Sequence, residues 1–360
     1  MAKIGVIGAG AFGICAALEL KKRGFEVLLF DKQDNILKEA STINHLRHHY
    51  GYHYPRSPET VKEIQRCSDS FLKAYGKCVD RNLVSFYGVA KEDSKVTSEQ
   101  YTKFCDELKL PYEIQFPDHD IINRTRIDLC LKTPEPVYSP KVLAEMMMQA
   151  LKKNSVDLRL GTEIVGGNVK SKSKRLETIV GGKKCSEKLD GILNATYSGI
   201  NEINRALGLP TRTIQYELME MLEIKIPSSQ RWGLTIIDGE FSSIMPRDNG
   251  TYALADVNYS VLSRSVSDHL TPEVVVSKNM PSNRDQILKR GIGWYPFLKD
   301  AEVVRSLNVT KVVKARVDNT DERLTEVKKY CSGVYSVFGG KVLTCVETAK
   351  EIADKIEAES

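Results

Sequence analysis

Three glycines near the N-terminus, Gly8, Gly10 and Gly13, have the spacing of a turn built to hold a phosphate. The first permits a tight strand-to-helix turn, the second lets backbone approach a pyrophosphate, and the third lets a helix pack closely on a sheet. The run Gly8-Ala9-Gly10-Ala11-Phe12-Gly13 follows the apolar segment Lys3–Ile7. It opens a helical pattern of Ile14, Ala17, Leu18 and Lys21, which Gly24 ends as a C-terminal cap. A second apolar strand, Val27–Phe30, then ends at Asp31. This is one βαβ unit with an acid about 20 residues past the turn, the pattern that binds a dinucleotide. Helix N–H groups would hold the pyrophosphate and the Asp31 carboxylate would accept hydrogen bonds from a ribose. Asp31 would repel a 2′-phosphate, so NADP is disfavoured and NAD or FAD remains.

A second concentration of chemistry lies just beyond. Four of the six histidines, His45, His48, His49 and His53, fall beside Arg47, Tyr50, Tyr52, Tyr54 and Arg56. His49 and His53 could meet on one helix face, but Gly51 and Pro55 interrupt that helix and no Asp, Glu or Cys joins them. No metal is therefore expected. A neutral imidazole suits removal of a hydroxyl proton, so candidate bases lie in this cluster, His49 and His53 among them. Arg47, Arg247 and Arg323 are candidates to grip a substrate carboxylate in a two-point fork. Arg247 follows Pro246, a rigid position ahead of the strand Thr251–Val257. Trp232, Trp294 and Tyr295 read as core packing rather than a substrate cage.

Three later segments resemble the D-amino-acid oxidase/glycerol-3-phosphate dehydrogenase superfamily of FAD enzymes, most closely its L-2-hydroxyglutarate dehydrogenase branch. Ala40-Ser41-Thr42-Ile43-Asn44, with His49-Tyr50-Gly51 and Tyr54-Pro55, is similar to the flavin-contacting loop. Gly191-Ile192-Leu193-Asn194-Ala195-Thr196 is similar to a strand ending in Ala-Thr-Gly beside the cofactor, although Tyr197 stands where the glycine would be. Gly339-Gly340-Lys341-Val342-Leu343-Thr344 resembles the C-terminal loop that closes over the flavin. The resemblance favours FAD over NAD. It implies cofactor contacts at Gly8, Gly10, Ala11, Phe12, Gly13, Asp31, Lys32, Ser41, Asn44, His48, Ile164, Ala195, Thr196, Gly339, Gly340, Lys341, Val342 and Leu343. It also puts the Asn44–Gly51 stretch against the isoalloxazine ring.

The elements that would position these residues follow from periodicity. Ser57-Pro58-Glu59 and Ser139-Pro140 have the form of helix starts. Met147 lies on a core-facing stripe of the second of these helices. Strands are expected at Asp157–Leu160, Glu163–Lys170, Leu176–Val180 and Gly191–Ala195, then at Gln215–Ile226, Trp232–Ile237, Thr251–Val257, Val303–Val313 and Val334–Phe338. Helical patterns appear at Pro272–Lys278, Arg284–Lys299 and Cys345–Ile356. The basic run Lys170 to Lys174 with Arg175 reads as a solvated hairpin tip.

The implied fold is α/β: a discontinuous Rossmann-type FAD domain (1–82, 135–210 and 318–360) with a mixed, β-rich substrate domain (83–134 and 211–317). A net charge of +5 from 52 basic and 47 acidic residues is too thin for nucleic acid. No apolar stretch is long enough to span a bilayer. Eight scattered cysteines imply free thiols, and with no leader-like stretch before Lys3 a cytoplasmic location is expected. The expected activity is hydride transfer to flavin from a CH–NH or CH–OH bond of a small polar, carboxylate-bearing substrate, with oxygen, a quinone or a carrier protein as acceptor. An NAD-dependent dehydrogenase and a non-catalytic flavin-binding protein are the alternatives.

Overall fold

The computed structural model describes residues 1–170, 173–226, 231–315 and 323–359. Its organising feature is a six-stranded sheet in the order Glu326–Cys331, Val334–Phe338, Gly191–Asn194, β1 (Lys3–Ile7), β2 (Glu26–Phe30) and Asp157–Arg159. Every neighbouring pair is parallel except the first. β1 and β2 are uninterrupted apolar runs because both faces of a parallel sheet are covered. Ile4, Val6, Val27 and Leu29 face one cluster, while Ile7, Leu28 and Phe30 face another with Ile164. Helix α1 (Ala11–Lys22) joins the two strands and ends at Gly24, whose φ of +87° only glycine adopts without strain.

Helix α2 (Pro58–Tyr75) starts after Ser57, and Ser139 Oγ accepts the Val142 N–H at 3.1 Å to cap the helix Pro140–Lys153. Both starts lie where the Ser-Pro pairs predict. Met147 is fully buried on that second helix. The closing helix, Cys345–Glu357, packs against α1 and α2.

A second, nine-stranded sheet is mostly antiparallel. Its centre runs Ile214–Lys225, Tyr252–Asp256, Ser242–Pro246, Trp232–Ile237, Val84–Ala90 and Ile127–Thr133. The strand Glu302–Lys314 pairs with Ile214–Lys225 along its whole length. One parallel contact, between Trp232–Ile237 and Val84–Ala90, draws a sequence-distant hairpin into this sheet. Trp232 packs against Tyr252 and Phe297, and Trp294 meets Phe241 edge-on, so both tryptophans are core residues as expected. The fold is thus α/β with an added β-rich sheet.

Three local expectations change. Only a single 3-10 turn, Pro272–Val274, forms in the Pro272–Lys278 segment, because the β-branched run Val274–Val276 disfavours continuation. The Arg284–Lys299 pattern breaks into a helix, Arg284–Trp294, and a 3-10 segment, Pro296–Asp300. Pro296 forces that break by excluding helical backbone at Tyr295. In the basic run Lys170 is exposed, but Lys174 is buried as the first residue of the strand Lys174–Val180. Residues 171 and 172 lie outside the described set, as does the 317/318 domain boundary. Sequence periodicity gives no signal for the strands Val84–Ala90, Ile127–Thr133, Lys183–Leu189, Val261–Ser267 and Glu326–Cys331, or for the helix Ser98–Glu107. All eight cysteines are free, and among the described residues no helix is long and apolar enough to cross a membrane.

Candidate functional site

The glycine turn separates two kinds of glycine. A Cβ on Gly13 would lie 1.8 Å from the Gly8 carbonyl oxygen, and one on Gly8 would lie 2.6 Å from that of Ala195. Those two are required by the protein's own packing. Gly10 differs: its nearest neighbour would be Ser41 Oγ, at 3.5 Å, and its φ of −79° suits any residue. Nothing in the chain demands glycine there, so the open space beside it is a cradle for something else. It faces the start of α1, whose first turn has no acid and whose N-cap has no side-chain hydrogen bond. Free N–H groups at a positive dipole end suit a pyrophosphate. Asp31 is oriented beside this turn by the N–H groups of Ala9 (2.6 Å) and Gln33 (2.8 Å). Lys32 is exposed, Ala11 is buried, and Phe12 lies against Gly339. Ile164 turns its side chain into the core, leaving only its backbone for any ligand.

The loop after β2 is braced from within. Asn44 accepts the Leu46 N–H at 2.5 Å and donates to the Ala40 carbonyl and Tyr138 Oη. Tyr138 donates in turn to the Ser41 carbonyl at 2.9 Å. The side chain of Asn44 is therefore committed to shaping the loop. Ser41 Oγ stands 3.4 Å from the Ala11 N–H at the mouth of the cradle.

The strand Gly191–Asn194 delivers Ala195 and Thr196 to the same place. The Ala195 N–H bonds the Ile7 carbonyl, and Thr196 Oγ1 donates to Asn194 Oδ1 at 2.7 Å. Tyr197 holds the left-handed φ of +54° that a glycine would take more cheaply. Its hydroxyl donates to the Val312 carbonyl and accepts the Val312 N–H, both at 3.2 Å, tying the turn to the nine-stranded sheet. On the far side Gly340 has open space where a Cβ would sit, Leu343 is buried, and Val342 packs at the edge of the main core. Lys341 is buried against Glu63 at 3.0 Å, bonds the Arg323 carbonyl, and lies over the Tyr54 ring. Burial lowers its pKa while Glu63 opposes the fall.

The histidines divide by orientation. His48 turns inward, with Nε2 3.0 Å from Ser68 Oγ and its ring on Phe71, and burial pushes its pKa down to about 4. His45, His49 and His53 gather with Arg47. Burial holds His45 and His53 well below the usual imidazole range, with the Arg47 charge adding to the effect. Burial also lowers His49, against the pull of Glu135. Burial thus favours the uncharged form of all three rings. His45 Nε2 lies 3.4 Å from Ser243 Oγ.

Arg47 is buried and engaged: Nη2 donates to Thr235 Oγ1 at 2.6 Å, Nη1 is 3.4 Å from His45, and Nε is 3.9 Å from Glu135. Arg247 has a spare donor. Its Nε is 3.7 Å from Glu223, while Nη1 is buried without a hydrogen-bond partner. Its charge reaches both His45 and Tyr138. The Arg323 backbone is anchored by Thr60 and Lys341, and its charge reaches His53.

Glu135, Thr235 and Ser243 were not found by reading motifs. Glu135 is fully buried and accepts the Tyr50 N–H at 2.8 Å and the Tyr87 hydroxyl. Burial would raise its pKa, but His49, Arg47 and Tyr87 together hold the carboxyl below its usual range. The one sequence signal was an acid fixed between Pro134 and Pro136. Thr235 and Ser243 carried none.

Comparison with known proteins bears on the family and the fold. The family model described as FAD dependent oxidoreductase matches residues 3–354. The FAD-dependent monooxygenase kojA of Aspergillus flavus is 24% identical, over 98% of this chain and 85% of that protein. Glycine oxidase from Geobacillus kaustophilus superposes with a TM-score of 0.75 at 14% identity, covering 100% of this chain and 96% of that one. The L-alpha-glycerophosphate oxidase of Mycoplasma pneumoniae, solved with FAD bound, superposes with a TM-score of 0.75 at 15% identity, covering 99% and 95%.

Proposed function

The chain belongs to the FAD dependent oxidoreductase family and is an FAD-dependent enzyme, and from that premise we propose that it oxidises a CH–NH or CH–OH bond of a small carboxylate-bearing metabolite. The family assignment sets aside a nicotinamide dehydrogenase. Bound FAD supplies the acceptor for the hydride that leaves the substrate carbon. In this reading residues 1–82, 135–210 and 318–360 hold the cofactor and 83–134 with 211–317 hold the substrate; the two sheets follow that division. The cradle at Gly10, Ala11 and Ser41 takes the pyrophosphate, Asp31 the ribose, and the loops at Ala195–Thr196 and Gly339–Leu343 the flavin.

The observation that carries the substrate reading is the buried, unpartnered Nη1 of Arg247 near His45. A buried guanidinium donor without an acceptor is costly, and a carboxylate relieves that cost. Arg247 therefore ranks first for the carboxylate, because both terminal nitrogens of Arg47 go to Thr235 and His45 and its remaining Nε, without a hydrogen-bond partner, already faces Glu135 at 3.9 Å. For a hydroxy acid, neutral His49 takes the hydroxyl proton, with His53 beside it; for an amine, binding of the deprotonated form suffices. Glycine oxidase among the structural neighbours supports an amino-acid-like substrate. Eight free thiols support a reducing, cytoplasmic setting.

The test is anaerobic mixing of the yellow protein with a panel of carboxylate-bearing amines and hydroxy acids. Loss of the flavin absorbance with one class identifies the bond oxidised. Full flavin occupancy with no bleaching by any member would overturn the enzyme reading in favour of a flavin-binding protein. The monooxygenase name of the fungal relative favours a second reading, oxygen-atom insertion. Heavy-oxygen label from O₂ appearing in the organic product would establish it, and label only in peroxide or water would exclude it.

A further inference from the structure

Glu135 is held as few surface-accessible carboxylates are. Prolines flank it, Ser85 Oγ donates to its carbonyl at 2.8 Å, and its two oxygens are pinned by the Tyr50 N–H and the Tyr87 hydroxyl. It cannot turn away from the ring beside it. That ring is His49, whose Nδ1 is buried without a partner and lies 3.7 Å from Glu135 Oε1. The side chain of His49 is 16% exposed, so the accessible part of the ring lies away from Nδ1. Tyr54 and His53 pack beside the ring, tilted to it, with centroids at 5.2 and 6.1 Å. Arg47 and Lys341 are the cations that face it, and Glu135 is the anion.

From this geometry we propose that Glu135 is a positioning residue that fixes the tautomer of His49, keeping its proton on Nδ1 and leaving Nε2 as the acceptor. A bare nitrogen lone pair on Nδ1 would face a buried carboxylate and be repelled. An N–H there is attracted, and a small rotation of the ring closes the gap to a hydrogen bond. Nε2 then emerges, bare, on the accessible side, ready for a substrate hydroxyl proton. The tautomer is one consequence and the base strength another: the Glu135 charge offsets part of the burial that weakens His49 as a base. The inference rests on the role proposed above for His49, but its test does not.

With only six histidines, ¹⁵N-labelled imidazoles can be resolved by NMR, and loss of one signal in His49→Gln assigns the ring. The expected wild-type signature at neutral pH is a neutral His49 protonated on Nδ1. A ring protonated on Nε2, or doubly protonated, overturns the proposal. In Glu135→Gln the Tyr50 N–H keeps an amide oxygen facing His49, so the tautomer persists while the titration midpoint of His49 falls; an unchanged midpoint counts against Glu135. In Glu135→Leu the Nδ1 preference disappears, and a folded variant that keeps it refutes the assignment. Should Glu135→Leu fail to fold, the wild-type and Gln spectra decide alone. Should His49→Gln still bleach with a hydroxy acid while the tautomer is as expected, His49 is not the base, yet Glu135 still sets its tautomer.

Discussion

The two ends of this site are built from different materials. At the proposed nucleotide end the working groups would be backbone: N–H groups at the start of α1, a turn without side chains at Gly8, Gly10 and Gly13, and a second glycine pair at Gly339-Gly340. At the proposed substrate end they would be side chains, Arg247, Arg47, His49, Glu135, Thr235 and Ser243, drawn from segments up to about 200 positions apart. A backbone site tolerates little variation in sequence because the absence of a Cβ is itself the requirement. A side-chain site has no local pattern and can change its substrate without changing the fold.

The sharpest test of this contrast is within the glycines. Gly13→Ala places a methyl 1.8 Å from the Gly8 carbonyl, and we predict a stability loss of at least about 3 kcal/mol in chemical denaturation. A wild-type unfolding midpoint would break the packing argument. Gly10→Val should separate function from folding: flavin absorbance is lost from the purified protein, while the apo-protein melts within a few degrees of wild-type apo-protein. Full flavin occupancy in that variant would remove the cradle from Gly10.

His48 supplies a pH signature on the protein side alone. The folded ring takes a proton only near pH 4, whereas an unfolded histidine does so near 6.5. Between those values the unfolded chain binds more protons, so stability is full above about 6.5 and falls as pH drops toward 4. The loss is at most ~3 kcal/mol. Melting curves across that range should show it on top of the same-signed contributions of His45, His49 and His53, which burial also lowers. His48→Gln should make the profile shallower by its own share; an equally steep profile in the variant would assign the effect to the other rings.

At the substrate end, Arg247→Met should lower kcat/KM for a carboxylate substrate by about 10- to 100-fold, the worth of a charge-assisted hydrogen bond. The same variant should treat the corresponding amide or ester much as wild type does. An equal loss on both would reduce Arg247 to a structural role. The smallest effect is expected at Tyr197→Phe: a cost of about 1 kcal/mol for the two hydrogen bonds to Val312, with flavin retained. A colourless Tyr197→Phe would show instead that this hydroxyl shapes the cofactor turn.

What could be read in advance follows the same division. The βαβ unit, the Ser-Pro helix starts and the strand ending at Phe338 were legible because each is specified by neighbours within about 15 residues. Asn44 was legible as a position but not as a role, since its commitment to Ala40, Leu46 and Tyr138 depends on a chain segment 94 residues away. His48 could not be told from His49 by type or spacing; only the packing of α2 turns one ring onto Phe71 and leaves the other near Glu135. Val84–Ala90 and Ile127–Thr133 were missed because a strand pair in a mixed sheet needs its partner, Trp232–Ile237, to be recognised.

The order of the six strands bears on how the molecule is made. β1 is made well before its neighbour Gly191–Asn194, which follows nearly 190 residues later, and Val334–Phe338, which flanks that strand, comes later still. Two of the six strands, Glu326–Cys331 and Val334–Phe338, join only after roughly another 130 residues, and until then the apolar edge of Gly191–Asn194 stays open. Loading of FAD should therefore wait for Val334–Phe338, and nascent chains halted before residue 334 should neither acquire colour nor escape chaperones.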